Sequence, residues 1–261
     1  MSAMTNYMET KMLNAMRGTA AAAPASIWVG MFLSGPGESG TGGTEVSYEG
    51  YVRQQLQLTA PTASGNTVSC ANSEALVFPT PPGSSGTVTH VAVFDAQTGG
   101  NMLCYTALNN NIVLTSETSP RIQSGNVQLS LSAGNMDAAY KTRVLNWLRG
   151  TSISGFTSYL ALYNGEPASG GTELTGTGYA RMAISFAEPA EQVSGQMTMQ
   201  NSTAMESAAA NVNWGTWAYG VIMDAATGGN RVWTAKNAGE YAMQNGAKAY
   251  FDAGAIQVAL N

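Results

Sequence analysis

The chain repeats itself, and that limits it to folds that can be built twice and joined end to end. Lys11-Met-Leu-Asn-Ala-Met-Arg-Gly-Thr19 returns as Arg143-Val-Leu-Asn-Trp-Leu-Arg-Gly-Thr151. Gly42-Gly-Thr-Glu-Val46 and Gly50-Tyr-Val-Arg53 return as Gly170-Gly-Thr-Glu-Leu174 and Gly178-Tyr-Ala-Arg181. Asn72-Ser73 is matched by Asn201-Ser202, and Phe94-Asp-Ala-Gln-Thr-Gly-Gly-Asn101 by Met223-Asp-Ala-Ala-Thr-Gly-Gly-Asn230. Gly125-Asn-Val-Gln-Leu-Ser-Leu131 closes one copy and Gly254-Ala-Ile-Gln-Val-Ala-Leu260 the other. The order never changes and the offset stays at about 130 residues, the mark of duplicated structural units. The junction falls at Ala133 to Asn135, giving domains at 1–134 and 135–261. With so short a joint, the two are expected to pack in a fixed relation.

Each copy reads as one helix followed by short strands. Tyr7, Met8, Met12, Leu13 and Met16 recur at helical spacing, with Thr5 or Asn6 as cap and Gly18 as stop. The second copy offers Asp137 as cap, a stripe of Tyr140, Val144, Leu145, Trp147 and Leu148, and Gly150 as stop. Strands are expected at 26–33, 51–58, 87–94 and 127–131, and at 158–163, 179–186, 216–223 and 256–260. The Asp-Ala-X-Thr-Gly-Gly-Asn segments read as hairpin turns. Gly99, Gly100, Gly228 and Gly229 would supply positive φ, and Asp95 and Asp224 would hold backbone N–H groups. The fold class is mostly β: two tandem β-sandwich or jelly-roll-like domains, each preceded by a short N-terminal α-helix.

Composition narrows the function. Only 10% of residues are charged and the net charge is −5, with eleven basic residues forming no cluster. Nucleic-acid binding by counterion release is therefore not expected. No apolar run is long enough for a membrane helix, and Met1 to Arg17 lacks the apolar core of a secretory signal. Synthesis in the cytoplasm is the expectation. Cys70 and Cys104 lie too far apart for a CxxC motif and lack clustered His partners. They read as two small thiols, with a disulfide open on spacing alone. His90, the one histidine, sits in an expected strand, and its counterpart in the other copy is Tyr219. No cofactor, metal site or catalytic set is expected.

The repeated polar residues read as structural. Arg53 and Arg181, with Tyr51 and Tyr179, form a paired motif whose arginines are expected to bridge Glu45 and Glu173. Holding an acidic ligand is the alternative. Trp28, Trp214, Trp217 and Trp233 are core anchors or, alternatively, a sugar-stacking platform. Met4, Met8, Met12, Met16 and Trp147 either dock the helices or form a partner surface.

Taken together, the helix ending in Arg-Gly-Thr, the GG-T-E entry, Gly-Tyr-X-Arg and Trp214-Gly-Thr216 with Asp224 to Asn230 resemble a family of small phage and prophage proteins usually labelled tail fibre proteins. The resemblance covers nearly the whole chain as two copies; the first departs from it, with Ser85-Gly-Thr87 and Gln97. It implies a non-enzymatic virion protein on the particle exterior, either a tail fibre or appendage or a capsid decoration protein. Its partners would be other virion proteins and further copies of itself; a trimer would display six similar domains. A host surface glycan is the alternative partner.

Overall fold

The computed structural model describes residues 3–132, 134–192 and 195–260; Ala133, within the expected junction, lies outside the described residues. Each half opens with an eleven-residue helix, α1 at Asn6–Met16 and α2 at Ala138–Leu148. Both stop where glycine takes a left-handed conformation, at Gly18 (φ 98°) and Gly150 (φ 92°). Asp137 caps α2 by accepting from the Ala139 N–H. Thr5 occupies the cap position of α1 without capping it. Its hydroxyl donates instead to the Met102 and Leu103 carbonyls, tying the helix start to a strand.

The chain is mostly β, each half being a helix followed by antiparallel sheets. In the first half, strand Thr87–Phe94 lies between Ile27–Ser34 and Met102–Val113. In the second, Thr216–Met223 lies between Ser158–Tyr163 and Arg231–Ala242. Each half also holds a smaller sheet: Gln128–Leu131, Thr67–Ala71 and Thr62–Ser64 in one half, and Gln257–Leu260, Met197–Gln200 and Ala190–Glu191 in the other. Thr67–Ala71 and Met197–Gln200 had no counterpart in the sequence reading. Their Thr, Ser and Gln residues dilute the apolar alternation, although Val68, Cys70, Met197 and Met199 are buried. The strands expected at 51–58 and 179–186 shrink to Gln54–Leu56 and Met182–Ile184. The Tyr and Arg that precede them leave the ladder to bond elsewhere.

The two halves are woven together. Helix α1 packs between strand Met102–Val113 of its own half and Met197–Gln200 of the other. Helix α2 packs between Arg231–Ala242 and, across the molecule, Thr67–Ala71. The crossing is sealed where Ala21 and Ile153, equivalent residues of the two copies, exchange backbone hydrogen bonds of 2.8 and 3.0 Å. Equivalent residues can bond reciprocally only where a pseudo-two-fold axis passes between them. The symmetry carries outward: Arg17 Nε donates to the Phe186 carbonyl, and Arg149 Nε to the Leu58 carbonyl. Tyr140 donates to Met12, Trp147 to Ala22 and Ser158 to Met16, all main-chain oxygens of the first half.

One apolar core therefore runs through both halves. Met4, Met8, Met12 and Met16 are all buried in it, as is Trp147 at 2% exposure. These residues dock the two helices within the chain and present no free surface to a separate partner. Cys70 and Cys104 are free thiols in the same core; burial pushes the first up to about 11 and the second to about 12, so both stay protonated at neutral pH.

Splitting the chain after residue 134 would strip each half of the helix that covers its smaller sheet. Either half expressed alone is expected to be aggregated or molten, and co-expression of the two is expected to restore a stable complex. Circular dichroism and analytical gel filtration check this.

Candidate functional site

The motifs that define the repeat converge on one polar clamp per half. Glu45 leaves its short strand facing Arg53, which donates from Nε (2.8 Å) and Nη2 (2.7 Å) in a two-pronged ion pair. The third nitrogen, Nη1, reaches the carbonyls of Ala96 (3.1 Å) and Gly99 (2.7 Å) in the hairpin turn. Tyr51 donates to Glu45 (3.1 Å) and accepts the Met31 N–H (2.8 Å). The Arg53 guanidinium also lies 3.3 Å above the Phe94 ring.

The second half repeats this bond for bond. Arg181 meets Glu173 at 2.8 and 2.7 Å and the Ala225 and Gly228 carbonyls at 2.8 and 2.6 Å. Tyr179 bridges Glu173 and the Leu162 N–H. Bonding to Glu173 raises the arginine's already high pKa, and burial raises those of both tyrosines. Every nitrogen of each guanidinium is thus bonded inside its own half.

The turns that receive these arginines are fixed from within. Asp95 accepts from the Asn101 N–H (2.6 Å) and side-chain amide (2.8 Å); Asp224 does the same for Asn230. A Cβ on Gly100 or Gly229 would sit 2.5 or 2.4 Å from that carboxylate, so the second glycine of each pair is required by space as well as by φ. Asp224 also pairs with Arg143 of α2. Burial opposes its ionisation, but the bonds from Asn230 and Arg143 outweigh burial and hold its pKa below the ordinary carboxylate value.

Asn72 and Asn201 form a second repeated device that the sequence offered only as a matched pair. Each is buried, donates to two carbonyls and accepts one main-chain N–H, latching the final strand to the smaller sheet. The four tryptophans do not share a platform. Trp28 is half-buried; Trp214 is buried and donates to Thr177; Trp217 and Trp233 line a cleft in the second half. His90 is half-buried and bonds Thr89. Among the described residues no three His, Cys, Asp or Glu side chains gather as metal ligands would.

A family model described as podophage GP4 fiber I protein gp80 matches residues 3–130 and again 135–259. The chain belongs to this family. It is a β-rich phage fibre protein, associated with the virion and built from two copies of the family unit. No curated protein matches it. In this fibre protein the clamp residues lie within both matched segments, so the clamp belongs to the repeated unit.

One buried group breaks the symmetry. Glu9 on α1 faces the second half, accepting the Met197 N–H at 3.4 Å through one oxygen while the other has no hydrogen-bond partner among the described residues. Its counterpart on α2 is Lys141, which donates to the Asn66 carbonyl. Burial, with a smaller push from Glu38, lifts the Glu9 pKa to about 8.

Two outcomes follow. Arg181→Ala would leave the half-buried Glu173 without its cation and two turn carbonyls without a donor, and is expected to cost about 2 kcal/mol in denaturant unfolding. For Glu9 the folded pKa lies above the unfolded one, so the folded state holds the extra proton between roughly pH 4.5 and 8. Stability is therefore expected to fall as pH rises through that window. Glu9→Gln removes the dependence: its melting temperature should match the parent near pH 5 and exceed it by several degrees near pH 9.

Proposed function

We propose that this fibre protein is a non-enzymatic structural component on the outside of the phage particle, working through protein–protein interfaces as a homo-oligomer, with repeats 1–134 and 135–261 as its two units. What carries the reading is family membership over both repeats, combined with the use of every repeated polar motif inside the fold. Glu45, Arg53, Asp95 and their counterparts are consumed in clamps and turns, which suits a load-carrying unit.

The edge strands support an interface reading. Beyond Tyr105, strand Met102–Val113 pairs on one side only among the described residues, and from Thr106 to Val113 it carries no charge. Its outer residues are exposed, Val113 at 63%. An uncharged open edge is a template for pairing with another strand. The equivalent stretch in the second half carries Lys236 and Glu240, the charges that protect an edge. One sticky and one guarded edge per chain suit assembly through the first repeat.

Light scattering on the purified chain is expected to give a trimeric mass, and Asn110→Lys with Val113→Lys to lower it to a monomer of unchanged circular dichroism. A monomeric parent chain would overturn the homo-oligomer. Immunogold labelling of intact particles is expected on fibres. Label over the head would make it a decoration protein, and no label would overturn the exterior placement.

A further inference from the structure

The duplication contains its own control, at the place where each helix meets the opposite half. On α1, Asn6 and Glu9 stand one turn apart on the same face. Their counterparts on α2 are Ala138 and Lys141. Lys141 is 2% exposed and donates from its amine to the Asn66 carbonyl of the first half. The second copy therefore holds a resident donor at this seam. The first copy, at the same two positions, offers oxygen acceptors in place of a methyl group and an amine.

Those acceptors go unsatisfied. Glu9 is 1% exposed, and its Oε1 has no hydrogen-bond partner among the described residues. Asn6 Oδ1 is buried and equally without one. A third oxygen-bearing side chain closes on the same spot from the Gly-rich loop before the clamp. The Glu38 main-chain oxygen accepts the Asn6 N–H at 3.0 Å. Its carboxylate reaches the second half, where a Cβ added to Gly195 would lie 2.9 Å from Oε2. Glu9 meets the same stretch two residues on, at the Met197 N–H. The two carboxyls lie close enough for the charge of Glu38 to act on Glu9. Neither has an ion pair among the described residues.

We propose that Asn6 Oδ1, Glu9 and Glu38 bind a calcium ion at the seam between α1 and strand Met197–Gln200. Buried acceptors without a donor are costly, and neighbouring carboxylates repel; one positive ion relieves both. Donors that are all oxygen select a hard cation over a soft metal. A set drawn from a helix and a Gly-rich loop, completed by water on the half-buried Glu38 side, matches the irregular shell of calcium. Magnesium demands a near-ideal octahedron. Charge balances, with two carboxylates against one divalent ion, and a proton on Glu9 leaves to solvent as the ion enters. The ion does for the first copy what Lys141 does for the second: it joins a helix to the half it crosses into. With two acids in the set, the dissociation constant is expected at about 10⁻⁴ to 10⁻³ M.

The test uses the intact chain, stripped with a chelator and held at about pH 8.5 so that protons do not compete for the carboxyls. Terbium, a luminescent stand-in for calcium, is titrated first. Its emission is expected to be sensitised by Tyr105, whose pKa is raised by burial and by the Glu38 charge, to saturate at a single ion per chain, and to be displaced by calcium. Calcium at roughly ten times its dissociation constant should raise the melting temperature by about 3 °C, and magnesium at the same concentration by much less. Glu9→Gln and Glu38→Gln keep the shape of each side chain and remove its charge; each is expected to weaken terbium and calcium binding roughly tenfold or more. Should Glu9→Gln misfold, the half-buried Glu38→Gln decides. Unsaturable terbium emission, a calcium shift that both variants retain, or an equal response to magnesium would overturn the site. Those failures leave the fibre reading untouched, because particle labelling and mass do not depend on them.

Discussion

Everything in this molecule hangs on the exchange of helices across the pseudo-two-fold axis. A sheet of short strands with many Thr, Ser and Gln residues buries too little apolar surface alone, and each smaller sheet is completed by the helix of the opposite copy. The Ala21–Ile153 pair fixes the axis, and Tyr140, Trp147 and Ser158 bond to main-chain oxygens of the first half around it. Because the core is continuous, the relation between the copies is set by packing density as well as by the short joint. Rigidity of this kind suits a component that must hold its neighbours at a fixed spacing.

The low charge of the chain acquires a reason here. The charges that recur in both copies are spent internally: Arg53 and Arg181 each bind a glutamate and two turn carbonyls, and Asp95 and Asp224 each bind an asparagine. Such paired, hydrogen-bonded charges specify geometry more than they add stability. They set the hairpin turn at one end of the main sheet in each copy. The remaining surface is left to uncharged polar side chains, which neighbours can cover at small desolvation cost.

Duplication then allowed the copies to specialise within one frame. Around the helix crossing, α1 supplies Met8, Met12, Ala15 and Met16 while α2 supplies Tyr140, Val144, Trp147 and Leu148. Flexible and small residues on one side accommodate bulky ones on the other. The same asymmetry separates Val88 and Ile112 from Trp217 and Tyr241 at matched places in the sheets. Glu9 against Lys141 is its polar form: one buried position, a carboxyl in one copy and an amine in the other, each meeting main chain of the opposite copy.

Much was legible in the residues themselves. Periodicity placed both helices, and Gly18 and Gly150 ended them, because φ and the hydrogen-bond ladder are local properties. The Gly-Gly turns were legible for the same reason. The strands Thr67–Ala71 and Met197–Gln200 were not, since what makes them strands is pairing with segments about 60 residues away, a distance that alternation does not encode. The methionine stripe left docking and partner surface equally open. Only the tertiary structure decided that it faces inward, because a helix's own pattern says that a face is buried and not what buries it. So it is with the whole chain: the sequence by itself determined that there are two copies, mostly β, each led by a helix. That the helices cross over, that one core serves both copies, and that the aromatic residues of the second half meet around a cleft were settled by long-range packing, where residues far apart in the chain compete for the same space.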